Sequence, residues 1–80
     1  MTSDLRSAVH LALADDWHGA HELAQQYQDP LAYWLHAVLH KIEGDVANSH
    51  YWYAKTAGQR YEQYTDAAEA LRAIASRLVG

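Results

Sequence analysis

Eighty residues with a formal net charge of −4, half of them hydrophobic, make one domain (1–80) near the lower size limit for a self-sufficient core. The absence of cysteine excludes a disulfide framework, a thiolate metal site and a cysteine nucleophile, and fits a reducing compartment. The six basic residues are scattered, which argues against nucleic-acid binding, and no apolar run approaches the ~20 residues of a membrane helix.

The opening Met1-Thr2-Ser3-Asp4-Leu5-Arg6 carries no signal-peptide pattern, so a cytoplasmic protein is expected. Ser3 or Asp4 can cap a first helix that runs to about Ala14. Asp15 or Asp16 then caps a second, through about Tyr27. Asp29-Pro30 is a cap followed by proline at the first helical position, where the missing N–H costs nothing. The third helix it starts should end at Gly44, a left-handed terminator. Asp45 caps a fourth, which Gly58 should end, and a fifth is expected from about Gln59 to Leu78. No segment alternates with period two, so no strand is expected. The predicted fold is all-α, with about five short antiparallel helices joined by short turns.

Along the fifth helix, Tyr61, Tyr64, Ala68, Leu71, Ala75 and Leu78 recur at steps of three and four, an amphipathic stripe. It suits packing on the rest of the domain, or a self-association seam of about three heptads. An internal repeat runs at an offset of 29. Asp16, Ala20 and His21 align with Asp45, Ser49 and His50, and Ala8 aligns with Ala37. Small residues at matching places let paired helices approach closely, as in helical-hairpin repeats.

The segment Asp45 to Gly58 resembles the second helix of a SEL-like repeat, in the tetratricopeptide superfamily, with its D-x-x-x-A-x-x-W-Y-x-K-A-A pattern. Asp45, Trp52, Tyr53, Lys55 and Ala57 match, whereas Ser49 and Thr56 stand where alanine is usual. The preceding helix is similar to the first helix of a tetratricopeptide unit through Tyr33, Ala37 and Gly44, and departs from it at His36 and His40. The likeness is best over residues 30–58. It implies helical hairpins, here capped by the C-terminal helix, that bind other proteins. The chain also resembles small bacterial proteins of unassigned function that share W-x-x-A-H and W-L-H-A-x-L-H-x-x-E-G-D.

Chemistry concentrates in the six histidines. His36 and His40, four apart, share one helix face with Tyr33 and Glu43. The tetratricopeptide likeness turns that face inward, and an unpartnered buried polar group costs on the order of 1–3 kcal/mol. Their partners can be a divalent metal ion, with Glu43 as a further ligand, or a carboxylate such as Glu22, Glu43 or Asp66, or a hydroxyl or backbone carbonyl. The pair lacks the glutamate of a zinc-protease helix, because Ala37 fills that place. The tight turn at Pro30 brings His21 towards His36 and His40, and three imidazoles suit zinc, nickel, copper or iron. His18 should be solvated and His50 should lie at the rim. Trp34, Trp52 and Tyr53 are core anchors or the walls of an aromatic pocket. No phosphate loop or nucleophile elbow is present, and no catalytic residue is assigned.

Two functions follow. The leading one is a small helical-repeat scaffold that takes a protein partner or associates with itself. The alternative is a divalent-metal protein built on His36, His40 and His21, with catalysis or pH sensing as uses of the same histidines.

Overall fold

A computed structural model describes residues 2–78; Met1, Val79 and Gly80 of the expected 1–80 domain lie outside the described residues. The described residues form five α-helices and no strand. The first, α1, spans Thr2–Leu13, so Ser3 and Asp4 lie inside its first turn instead of capping it. Asp4 instead accepts a hydrogen bond from the Tyr27 hydroxyl. The helix closes through Asp15, which takes the left-handed φ of 66°, while the Asp16 N–H reaches back to the Leu11 carbonyl at 2.8 Å.

Asp16 then caps α2 (Trp17–Ala24), accepting from the Gly19 N–H at 3.1 Å. This helix ends before the expected Tyr27, in a turn that leads to Asp29. Asp29 caps α3 (Pro30–Glu43) through the Leu31 N–H at 2.9 Å, with Pro30 at the first position. Gly44 ends α3 at φ 86°, and the Asp45 N–H bonds the His40 carbonyl at 2.9 Å. Asp45 caps α4 (Val46–Tyr53) through the Asn48 N–H. Helices α2 and α4 therefore have bounds, caps and preceding left-handed corners set 29 residues apart.

The last third of the chain departs from expectation. Helix α4 ends at Tyr53, five residues before Gly58. The Thr56 hydroxyl donates to the Tyr53 carbonyl at 2.7 Å and accepts from the Gln59 N–H at 3.0 Å, folding the chain out of the helix. Gly58 sits within that turn at φ 94°. The fifth helix does not begin at Gln59. A single 3-10 turn at Tyr61–Gln63 comes first, and Asp66 caps α5 (Ala67–Arg77) through the Ala68 N–H at 2.9 Å. Lys41 of α3 holds the intervening loop, donating to the Tyr61 and Tyr64 carbonyls at 2.7 Å each.

Packing explains the layout. Each of α1 and α3 pairs with the short helix that follows it, as antiparallel hairpins. Helix α3 is the centre, with Ala32 and every residue from Trp34 to His40 buried. Ala8, Ala20 and Ala37 are fully buried small residues at the helix contacts, as is Ser49, whose hydroxyl donates to the Ala37 carbonyl at 2.7 Å. Helix α5 lies against α1 and α3 and buries Ala70, Leu71 and Ile74, with Leu78 just beyond it. Of the expected stripe, Leu71 and Leu78 are buried in the chain's own core, Ala68 and Ala75 are half-buried, and Tyr61 and Tyr64 precede the helix. Trp34 and Leu71 are buried as expected, whereas Trp52 is only half-buried.

Candidate metal centre

The inward face of α3 carries two histidines because positions four apart lie above one another on a helix. His36 and His40 are both buried, at 6% and 7% exposure, and their rings lie 4.9 Å apart. The α2–α3 turn delivers His21 opposite them. Its Nε2 stands 3.0 Å from His36 Nε2, and the two rings meet edge to face at 85°. One ring nitrogen from each of His21, His36 and His40 lies within 4.8 Å of the others, a trio drawn from two helices.

Two tryptophans fix the ring planes. The His21 ring stacks on Trp17 at 4.7 Å and 11°. The His36 ring stacks on Trp52 at 4.0 Å and 14°. Trp17 is itself held by its indole N–H, which donates to the Leu39 carbonyl at 2.6 Å. Glu43, expected among the ligands, is not one of the trio; its Oε1 lies 2.5 Å from His40 Nδ1, and with His40 and Asp45 it makes a second, more exposed group of possible ligands. A carboxylate at Nδ1 favours the tautomer that carries its proton there, the arrangement in which metal-binding histidines are oriented. The other carboxylates considered for the histidines are engaged elsewhere or solvated: Asp66 caps α5, and Glu22 is exposed.

Electrostatics disfavours charge on His36 and His21. Burial, reinforced by His21 and His40 nearby, pushes the His36 pKa down to about 4. Burial is also the main cause that lowers His21, followed by the charge of His40. A neutral His21–His36 pair can share one N–H, donated by one ring and accepted by the other. Metal binding at neutral pH would then displace little proton charge from His36. Asp45 is near His40 and Glu43, but its carboxylate is committed to the Asn48 backbone and side-chain nitrogens. His18 is exposed as expected, and His50 is exposed and stacks on Tyr61 at 4.4 Å.

Reading the sequence alone missed four contributors. Trp17 was not read as a plate for His21, nor Trp52 as one for His36. In the sequence Lys41 reads as scattered charge, and Lys55 as that or as part of the W-Y-x-K pattern. Lys41 ties down the loop before α5, and Lys55 borders a polar groove that runs from His36 between α2, α3 and α4. The W-Y-x-K spacing, which places Lys55 one helical turn after Trp52, was the available signal for the last of these.

Compared with known proteins, the chain matches no family model, no curated protein and no solved structure.

Proposed function

We propose that this protein binds a divalent transition metal through His21, His36 and His40. The observation that carries the reading is the convergence of three imidazoles from α2 and α3 within 4.8 Å, in a largely buried site. Zinc–imidazole bonds of about 2.0–2.1 Å in a tetrahedron set ligand nitrogens about 3.3 Å apart. The His21–His36 spacing of 3.0 Å is already close to that. Glu43 at His40 Nδ1 adds the outer-shell partner that such ligands use. Three nitrogens and no thiolate suit zinc, nickel, copper or iron, and leave a fourth position for water or a further ligand. The metal would supply Lewis acidity there. The chain's contribution is to bind it and to fix the three rings.

The test is thermal unfolding of tag-free, chelator-treated protein with each metal added in turn. At a hundredfold excess over the dissociation constant, mass action stabilises by about 2.7 kcal/mol, a rise of about 10 °C or more for a domain this size. His36→Ala should abolish the rise. If zinc, nickel, copper and iron all leave the melting temperature unchanged, the proposal fails.

A second reading rests on the two hairpins whose caps and corners are set 29 residues apart. It keeps the resemblance to tetratricopeptide units and makes the chain a small scaffold for a protein partner or for a second copy of itself. Sedimentation equilibrium over a wide concentration range tests the self-association form. A monomer throughout leaves only a different protein as the partner.

A further inference from the structure

The groove beside the trio carries one ammonium, that of Lys55. It is an open groove lined by Gln25, Tyr27, Gln28, Tyr33, His36, Trp52 and Lys55, with a volume of about 510 Å3. No carboxylate is among them, although the chain carries ten and a net charge of −4. Tyr27 donates its hydroxyl to Asp4 at the edge, so two amides, the Tyr33 phenol and the Lys55 ammonium are the donors left for an anion. A volume of this order is what small-molecule sites occupy.

The groove is continuous with the proposed metal site because the same helix faces build both. On α2, His21 precedes Gln25 by four residues. On α3, Tyr33, His36 and His40 succeed one another at three and four. His36 belongs to both the trio and the groove wall. On the opposite side Trp17 stacks on His21 and meets the His40 ring edge-on at 5.9 Å. His36 is the member of the trio that lines the groove, so a fourth ligand held in the groove would reach the metal past His36.

Lys55 fits this role. Its Nζ lies 6.0, 5.0 and 5.5 Å from the rings of Tyr33, Tyr51 and Trp52, and it has no hydrogen-bond or ion-pair partner among the described residues. The lysine is exposed, held among aromatic faces, and its charge is uncompensated.

We infer that the groove takes a small dicarboxylate, one carboxylate completing the coordination of the metal and the other paired with Lys55, with the carbon chain against Trp52 and Tyr33. This rests on the metal reading above, and the experiment separates the two. Cobalt(II) serves as the probe metal, because its visible bands report imidazole coordination before any anion is added. Succinate is then titrated in, with acetate as the single-carboxylate control. Succinate should shift the bands at about a tenfold lower concentration than acetate, the scale of one charge-assisted contact. Lys55→Met should erase that preference and Lys55→Arg should restore it. Bands that neither anion shifts, or that succinate abolishes by stripping the metal, overturn the inference and leave the metal reading standing. So does a succinate preference that survives in Lys55→Met. Absence of the bands at the outset overturns both.

Discussion

Acid should unfold this domain through its histidines before its carboxylates. His36 has an ordinary pKa of 6.5 when unfolded and about 4 when folded, with burial as the main cause. A depressed histidine binds its proton more tightly in the unfolded state. Its contribution to stability is therefore full above pH 6.5 and is lost as pH falls towards 4. From about pH 7.5 to about pH 4.5 the linkage is worth about 2.5 kcal/mol, at 1.36 kcal/mol per pKa unit. The ring borders the groove, where water screens part of this, so about 2 kcal/mol is expected. His21, lowered in the same direction, adds to the trend. Total stability for 80 residues is about 4–12 kcal/mol, so the loss is a large fraction of it. The assay is urea unfolding of chelator-treated protein, followed by tryptophan fluorescence across that pH range. With a slope of about 1 kcal/mol per molar urea, the midpoint should fall by about 2 M. His36→Leu removes the titrating ring and should recover most of that fall. A wild-type midpoint that moves by less than about 0.5 M, or a His36→Leu protein that loses as much as the wild type, would refute the reasoning.

Two further outcomes are expected in the same assay at neutral pH. Trp34→Ala should cost about 3–5 kcal/mol and bring the domain close to unfolding, whereas half-buried Trp52→Ala should cost about 2 kcal/mol; equal costs would contradict the packing. Gly44→Ala should cost about 1 kcal/mol through its left-handed φ of 86° alone, because a Cβ there meets nothing within 4 Å, and Asp15→Gly should be neutral or stabilising at the matching corner; a costly Asp15→Gly would show that its side chain contributes more than its conformation costs.

The helix plan was legible where a single residue performs a local function. Asp16, Asp29 and Asp45 all cap helices, Pro30 follows its cap, and Gly44 takes the left-handed corner. Cap chemistry needs only neighbours three or four residues away, so a sequence displays it. The fifth helix failed for the opposite reason. Tyr61 and Tyr64 continue the three–four spacing of the later stripe, yet their backbone is held in a loop by Lys41, twenty or more residues earlier. The local signal against a helix from Gln59 was nonetheless present: Asp66 followed three residues later by Glu69 marks a helix start. In the same way, His21, His36 and His40 could be brought together from the Pro30 turn and helix spacing. The roles of Trp17 and Trp52 could not, because each depends on how two helices cross.

Those two tryptophans separate an arranged cluster from an incidental one. Buried imidazoles are a poor way to fill a core. At the same register in the first hairpin, the chain uses exposed Ser7 in place of His36 and half-buried Leu11 in place of His40. An apolar residue is thus compatible with that backbone at the His40 register, and His36 is kept at a cost in stability below pH 6.5. A merely accommodated histidine would need one hydrogen-bond partner. Here His21 and His36 have more than that, an indole plate behind each, while His40 has the Glu43 carboxylate at Nδ1. The plates hold the first two rings nearly perpendicular, with their Nε2 atoms facing each other across 3.0 Å. Positioning of that kind comes from supporting side chains that lock the rotamers of the groups they serve. Departures from core packing that are individually supported in this way are where function is expected in a protein otherwise consistent with its own rules.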